Sequence, residues 1–292
     1  MKIAVLSDIH GNHVAFRKCI EYIEEQNINH CILLGDYIGE FPYPQKTMEL
    51  LYYLKATKEC IFISGNKEDY WRWYRECGET GWQDYHSVTG CMYYGYHNLR
   101  SEDIDFMLGM EKTVTCQWVE DKPLHLLHEP AYKKLCSEEV KNASKYNTSV
   151  AANQKIVLCG HRHVQGQIDY EDVCYIDPGS VGVPFYSEGR TQFAIMEDCS
   201  DGWLIEYISL DYEKDIVLQE MLDEKMDLHA PCWNKMTRAI LLKDAPPHTV
   251  GLFRAMEITK EKFGACEWPN VDEECFEEAL RQIGEECGVS YE

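Results

Sequence analysis

The N-terminal part of the chain alternates short apolar runs with amphipathic stretches. An apolar run covers residues 2–7, and apolar residues then recur at helical spacing through 14–25. Two more apolar runs follow at 30–34 and 60–64, with a helical pattern at 46–55 between them. A turn that contains glycine comes after each run. This order of strands and helices predicts a layered α/β core.

The pattern between residues 70 and 210 is richer in strands. An aromatic segment at 70–74 is expected to continue a helix that starts just after residues 65–69, and Ser101 is expected to cap a helix over 101–107. A polar helical stretch is expected at 137–152. The other segments are predicted to be strands, except for a turn at 177–182: 113–119, 123–127, 155–159, 164–170, 173–176, 192–197 and 203–209. We therefore expect two packed sheets flanked by helices.

The character of the chain changes at about residue 211. Apolar residues recur at helical spacing in the segments 216–226, 236–242, 251–263 and 271–287. Asn270 with Glu273 fits a capping box at the start of the last segment. The sequence thus predicts a core domain at 1–210 and a helical C-terminal extension at 211–292, made of three or four helices.

Charge and cysteine content narrow the class of protein. The formal net charge of −22 argues against stable binding to long nucleic acid and against docking on an anionic membrane, since both need a basic surface. No stretch reaches the roughly 20 apolar residues of a membrane span, and an apolar core strand begins at once without a signal sequence. The 14 cysteines are scattered without a CxxC pair, as in reduced cytosolic proteins. We expect a cytoplasmic protein.

Seven side chains that can bind a metal ion follow predicted strands in five short segments. They are Asp8, His10, Asp36, Asn66, His128, His161 and His163. Strand ends are where an open α/β sheet forms its ligand crevice. Oxygen and nitrogen ligands without thiolate favour Mn, Fe or Zn. Seven ligands, with Asp36 placing one oxygen on each of two ions, indicate two divalent metal ions and hydrolytic chemistry.

Each segment by itself is a weak signal. Asp-x-His is more often structural than functional, and a single histidine such as His128 at a strand end is more often a hydrogen-bonded polar residue than a ligand. The joint occurrence of all five segments, in order and each after a strand, is what favours a shared metal site.

The motifs also resemble those of a known family. SDIHGN (7–12), GDYIG (35–39), GNKED (65–69), GHRH (160–163) and DPGSVG (177–182) resemble the calcineurin-like metallophosphoesterase superfamily, particularly its small bacterial and archaeal phosphodiesterase branch. The resemblance covers about residues 1–210 and implies a four-layer α/β/β/α sandwich of two mixed sheets.

The resemblance also implies roles for single residues. Asp8, His10, Asp36 and His163 would hold one metal ion. Asp36, Asn66, His128 and His161 would hold the other. The resemblance further implies that Asn12 lies near the substrate phosphate.

Two positions depart from the family pattern. Lys67 stands where many members have a histidine that assists the leaving group. Lysine is a poor general acid near neutral pH, so we expect Lys67 to anchor phosphate oxygens. Asp177 replaces the usual asparagine and is expected to alter only a turn. Arg162, between two ligand histidines, is expected to reach a phosphate from the rim.

The leading hypothesis is a binuclear phosphoesterase in which a metal-bridging hydroxide attacks phosphorus. Asp36, Asn66 and Lys67 are its expected catalytic residues, and Asn12, Lys67 and Arg162 are expected to bind substrate. Without a histidine at 67, a small phosphodiester is favoured as the substrate. A phosphomonoesterase that acts on a nucleotide or phosphoprotein, and a non-catalytic scaffold, are the alternatives. The C-terminal helices either cover the crevice or form a homo-oligomer interface.

Overall fold

Two mixed β-sheets form the centre of the molecule, which is known from a computed structural model. The structure describes residues 1–130, 148–151, 153–170 and 172–291. Eleven strands and ten helices occur in these ranges. The predicted α/β fold with two packed mixed sheets is confirmed.

The first sheet has six strands, and its parallel half carries the N-terminal motifs. Three parallel strands are followed in space by three antiparallel ones. Their order is β3 (Glu59–Phe62), β2 (His30–Leu33), β1 (Lys2–Leu6), β10 (Thr191–Cys199), β11 (Gly202–Leu210) and β6 (Thr148–Ala151). In register, Leu6 lies beside Leu33 and Leu33 beside Phe62, so the three parallel strands end at one edge.

The second sheet has five strands, of which the three central ones are parallel. Their order is β4 (Thr113–Cys116), β5 (Leu124–Leu127), β7 (Lys155–Leu158), β9 (Val173–Asp177) and β8 (Gly166–Tyr170). Since β5 and β7 pair in register at Leu126 and Leu158, these two strands also end side by side.

Successive side chains of β1 point to opposite faces of the first sheet and so belong to two separate hydrophobic clusters. Ile3 and Val5 point into a cluster between the two sheets, whereas Ala4 and Leu6 join the cluster under the helices. All four side chains are fully buried. The chain therefore buries both faces of its first sheet, one against the second sheet and one against helices.

The helices of the core domain follow the expected periodicity with one exception. They are α1 (His13–Glu25), α2 (Pro44–Thr57), α3 (Asn66–Glu76), α4 (Gly90–His97) and α5 (Ser101–Leu108). Helix α4 was not predicted, because six of its eight residues are buried and its apolar and polar positions show no helical period. A helix buried on nearly all sides gives no amphipathic signal.

The C-terminal extension adds five helices in the described ranges, where the sequence predicted three or four. They are α6 (Lys214–Asp223), α7 (Met226–His229), α8 (Pro231–Lys243), α9 (His248–Phe263) and α10 (Glu273–Cys287). Their buried residues belong to the same apolar cluster as Phe41 and Val181 of the core domain. The extension thus shares one hydrophobic core with the helical face of the first sheet.

Three local predictions were wrong. The helix expected at 137–152 is contradicted at Thr148–Ala151, which pairs with β11 as a strand, and 131–147 lies outside the described residues. Helix α5 already includes Ser101, so its N-cap is Arg100 and not Ser101. The backbone N–H of Arg100 donates to Asp103 Oδ2 at 3.3 Å. The cap of α10 is Asp272 and not Asn270.

Two further properties concern the described ranges as a whole. The cysteines in them are all free thiols, as expected. None of the helices there has both the length and the hydropathy needed to span a bilayer.

Candidate metal centre

All seven predicted ligands follow strands that end at one crevice. Asp8 and His10 follow β1, Asp36 follows β2 and Asn66 follows β3. The three remaining ligands follow strands of the second sheet: His128 follows β5, and His161 and His163 follow β7. Contacts of 2.8–3.8 Å link these side chains to one another. The structure therefore brings together every ligand that the sequence predicted.

The backbone at the site is held in an unfavourable conformation. Asp8, His10, Asp36, His161 and His163 all have φ between 54° and 72°, the left-handed region that non-glycine residues rarely adopt. Each such residue costs on the order of 1–3 kcal/mol and persists only where its surroundings enforce it. Backbone strain on five of seven candidate ligands is what we expect of a functional site.

Three of the histidines present the same nitrogen to the centre. Nδ1 of His128 donates to the Leu34 carbonyl at 2.7 Å, and Nδ1 of His163 donates to the Val183 carbonyl at 2.6 Å. Nδ1 of His10 lies 2.5 Å from Glu40 Oε2. Because these partners are acceptors, each neutral ring carries its proton on Nδ1 and turns an Nε2 lone pair inward. This is the orientation of metal-binding histidines.

The two aspartates lie between these nitrogens. Asp8 Oδ1 is 3.1 Å from His163 Nε2 and 3.8 Å from His128 Nε2. Asp36 turns one oxygen toward His10 Nε2 at 3.7 Å and the other toward His128 Nε2 at 3.5 Å. The arrangement of Asp36 fits the bridging role expected for it.

The aspartates and histidines shift one another's proton affinity. Burial lowers the pKa of His10, but Glu40, Asp8 and Asp36 outweigh burial and raise it to about 10. Burial also lowers the pKa of His128, and Asp36 and Asp8 likewise raise it to about 10. Burial raises the pKa of Asp36, and His128 and His10 still bring it down to about 2. The centre therefore stabilises positive charge placed between its two ionised aspartates.

Unpaired atoms show that a cation fits this centre. Asp8 Oδ1 is fully buried and has no hydrogen-bond partner among the described residues. His10 Nε2 and His163 Nε2 lie 3.1 Å apart, so two lone pairs face each other unless a proton or cation lies between them. Buried charge needs such compensation. Two overlapping groups have geometry suitable for a metal ion: Asp8, His10 and His163, and Asp8, Asp36 and His128.

The two sides of the centre differ in exposure. We name the side formed by Asp8, His10 and His163 the closed end; the side chains of its two histidines are only 3% and 10% exposed. We name the side formed by Asn66, His128 and His161 the open end, where the side chain of His161 is 40% exposed. Asn66 Oδ1 lies 3.1 Å from His128 Nε2 and 2.8 Å from His161 Nδ1, so these three side chains converge as predicted.

Glu68 joins the loops that carry Asp36 and Asn66. Its buried carboxylate accepts the backbone N–H groups of Asp36, Tyr37 and Gly65 at 2.6–3.0 Å. Gly65 is required there because a Cβ atom would come within 2.2 Å of Asp36 Oδ1. Sequence reasoning missed Glu68, although its place within GNKED is a signal that could have revealed it.

Lys67 is not a free anchor for phosphate. Its ammonium donates to Glu40 Oε1 at 3.0 Å, and its backbone N–H donates to Asp36 Oδ1 at 2.8 Å. Burial lowers the pKa of Lys67, but Glu40 and Asp36 raise it above its usual value, so the charge is retained. Glu40 was also missed by the sequence reasoning. Its only signal is a carboxylate inside the otherwise apolar and turn-like loop after GDYIG.

The geometry gives Asn12 and Arg162 structural contacts and lends no support to the substrate contacts expected for them. Asn12 is fully buried; its Nδ2 donates to the Gly182 carbonyl and the Tyr212 hydroxyl, and its Oδ1 caps α1. Arg162 has a side chain only 9% exposed, with its Nε 3.9 Å from Asp177 Oδ2. The rim position expected for Arg162 is therefore wrong, and Asp177 contacts this buried guanidinium besides accepting the turn N–H of Gly179.

Comparison with known proteins agrees with this geometry. The family model described as the calcineurin-like phosphoesterase superfamily domain matches residues 1–201. An uncharacterized protein from Methanocaldococcus jannaschii is 23% identical over 232 residues, which is 72% of this chain and 88% of that protein.

Two solved structures share the fold. A hypothetical protein from Pyrococcus horikoshii aligns with a TM-score of 0.64 at 18% identity, over 84% of this chain and 99% of the other. A metallophosphoesterase from Sphaerobacter thermophilus aligns with a TM-score of 0.54 at 18% identity, over 79% of this chain and 99% of the other. Because both alignments cover more of the chain than residues 1–201, the shared fold includes part of the C-terminal extension.

Proposed function

The chain belongs to the calcineurin-like phosphoesterase superfamily, and from this premise we propose that it hydrolyses a small phosphodiester with two divalent metal ions. The observation that carries the proposal is the convergence of three inward-facing Nε2 atoms on the carboxylates of Asp8 and Asp36. Such a set is a nitrogen and oxygen site that suits Mn, Fe or Zn.

The chain's own residues divide the work of holding the ions. Asp8, His10 and His163 would hold an ion at the closed end, and Asn66, His128 and His161 would hold one at the open end, with Asp36 contacting both. Bound divalent cations supply Lewis acidity toward phosphoryl oxygens and lower the pKa of water.

The residues behind the ligands keep the centre preorganised. The Leu34 and Val183 carbonyls and the Glu40 carboxylate orient three of the imidazole rings. Glu68 holds the Asp36 and Asn66 loops together. A fixed array of charges and dipoles stabilises charge that develops in a transition state without reorganising.

Charge pairing near the centre favours a diester over a monoester. Lys67 is paired with Glu40, and the side chain of Arg162 is only 9% exposed beside Asp177, so neither cation is free for a substrate phosphate. A phosphomonoester carries close to two negative charges at neutral pH, and a diester carries one. A diester therefore needs less positive charge from protein side chains, in addition to the two metal ions, to balance its own negative charge.

Hydrolysis of two chromogenic substrates tests the proposal. Metal-free protein would be supplied in turn with Mn, Ni, Fe and Zn and assayed with bis-p-nitrophenyl phosphate and p-nitrophenyl phosphate. We expect metal-dependent turnover, abolished by EDTA, with the higher kcat/KM on the diester. Preference for the monoester would favour the phosphomonoesterase alternative. No turnover with any metal would favour the non-catalytic scaffold.

Two earlier expectations stay predictions. Cytoplasmic localisation would be checked by cell fractionation, and homo-oligomer formation through the C-terminal helices by light scattering. The proposed substrate remains a small phosphorylated molecule, since the net charge of −22 disfavours long nucleic acid.

A further inference from the structure

The C-terminal extension reaches the metal centre at one carboxylate. Glu40 Oε1 accepts hydrogen bonds from Trp233 Nε1 of α8 and from Lys67 Nζ, both at 3.0 Å. The other oxygen of Glu40 is the one that lies 2.5 Å from His10 Nδ1. The side chain of Glu40 is only 2% exposed. One buried carboxylate thus connects the extension, Lys67 and a closed-end ligand.

The indole of Trp233 has two further contacts, one with His248 and one with Lys67. The ring of His248, at the start of α9, stacks on it with a centroid distance of 4.6 Å and an angle of 16°. His248 Nε2 is fixed by the Thr237 hydroxyl at 2.8 Å. The Lys67 ammonium lies 5.6 Å from the Trp233 ring centroid, within the range of a cation–π interaction. The donor that reaches Glu40 is therefore rigidly placed.

Two other contacts from the extension lie next to the loop after β1, which carries Asp8 and His10. Tyr212 accepts a hydrogen bond from Asn12 at 3.0 Å, and Glu220 lies 2.7 Å from His13 Nε2. Asn12 and His13 directly follow the segment that carries Asp8 and His10. These contacts lie beside the closed end, so the extension supports the part of the centre that is already the more buried.

We propose that Trp233 is a positioning residue of the metal centre, which acts through Glu40 to fix His10 and thereby sets the affinity of the closed-end metal position. This inference rests on the proposed function, because it assumes that the centre binds metal ions. With the Trp233 N–H removed, Glu40 Oε1 keeps only the Lys67 ammonium, and the carboxylate loses one of the two donors that orient it toward His10. Loss of a partner behind a metal ligand typically costs about 10–100-fold in metal affinity.

Trp233→Phe tests the proposal, because phenylalanine keeps a ring for His248 and Lys67 and removes only the N–H donor. The matched control is Trp203→Phe: Trp203 is buried between the sheets, and its Nε1 has no hydrogen-bond partner among the described residues. Metal-free proteins would be titrated with Mn²⁺ by calorimetry. Titrations of His163→Ala and His161→Ala identify the closed-end and open-end binding steps.

We expect Trp233→Phe to weaken the closed-end step by about tenfold, with the open-end step and the Trp203→Phe protein close to wild type. Glu40→Gln, which keeps the side-chain shape, should weaken the same step further. At saturating Mn²⁺, kcat of Trp233→Phe should return to within about twofold of wild type, because only ion binding is affected.

Two results would overturn the proposal: an unchanged closed-end affinity in Trp233→Phe, or an equal loss at both steps that Trp203→Phe shares. If wild-type protein binds Mn²⁺ but hydrolyses neither substrate, the proposed function fails, and the affinity comparison still decides the role of Trp233.

Discussion

The closed and open ends of the metal centre use similar ligands but are supported differently. At the closed end, His10 and His163 are nearly buried, and each has its Nδ1 facing an acceptor, with the extension behind Glu40. At the open end, His161 is 40% exposed, and its Nε2 lies 3.9 Å from Glu129 Oε1. The two ends therefore differ mainly at His161, because His128 is as buried as the closed-end histidines and its Nδ1 also donates to a carbonyl.

This difference matters because metal binding and substrate access place different requirements on a hydrolytic centre. A metal position gains affinity from fixed ligands, whereas a substrate needs an open path and space to exchange for water. We expect the closed end to hold its ion more tightly and the substrate to approach from the open end. The predictions below test this division, from the largest expected effect to the smallest.

Replacing Asp36 should affect both ends, because its two oxygens face His10 and His128 separately. We expect Asp36→Asn to lower kcat/KM on bis-p-nitrophenyl phosphate at least about 10³-fold, which corresponds to several kcal/mol of lost charge stabilisation. The bound metal would be measured by mass spectrometry and should fall below that of wild type. Undiminished hydrolysis with full metal content would contradict the shared role of Asp36.

Removing one histidine from each end should give unequal losses. His163→Ala removes a buried ligand whose Nδ1 is fixed by the Val183 carbonyl, whereas His161→Ala removes a half-exposed one. We expect both losses of Mn²⁺ affinity to exceed the roughly 10–100-fold that is typical when a residue behind a ligand is removed, with the larger loss in the first variant. Calorimetric titration measures both. Equal losses, or a larger loss for His161→Ala, would remove the distinction between the ends.

Glu68→Gln should loosen the loops that carry Asp36 and Asn66. The amide can no longer accept all three backbone N–H groups, so at least one buried donor loses its partner. We expect the free energy of unfolding to fall by about 2–3 kcal/mol in urea titrations. Glu261→Gln, on the exposed surface of α9, is the matched control and should change stability by less than about 0.5 kcal/mol.

Asp177→Asn should have the smallest effect on the metal centre, and its effect on stability should depend on pH. Burial raises the pKa of Asp177 to about 8 from an ordinary value near 3.8, although Arg162 partly offsets this. A carboxyl with a raised pKa destabilises the fold progressively as pH rises from about 4, and the cost is complete above pH 8. We therefore expect the stability of the variant relative to wild type to rise by a few kcal/mol between pH 4.5 and pH 8, at about 1.4 kcal/mol per pKa unit, measured on metal-free protein. A gain independent of pH would assign the effect to packing instead.

The sequence predicted the sheets and the seven candidate ligands that the structure brings together for a simple reason. Strands show as short apolar runs, and a metal centre restricts the residue types that can follow them, as at Asp8, Asp36 and His128. Each of these signals is local to a few residues. That is why the ligand set needed no knowledge of the folded chain.

The parts that were missed depend on contacts between distant segments. The role of Glu40 could not be predicted from its neighbours in sequence, because its hydrogen-bond donor Trp233 lies 193 residues later. Asn12 was expected to face substrate, and the folded chain uses its donors on Gly182 and Tyr212 instead. Residues 148–151 read as part of a polar helix, and pairing with β11 makes them a strand. Tertiary pairing in these cases outweighs local propensity.

The most direct test of the central claim is anomalous diffraction from crystals of the Mn²⁺-loaded protein. The account predicts two peaks in the crevice, roughly 3.5–4 Å apart. One should contact Asp8, His10 and His163, the other Asn66, His128 and His161, and Asp36 should contact both. No peak in the crevice, or a single peak that does not contact Asp36, would contradict the account.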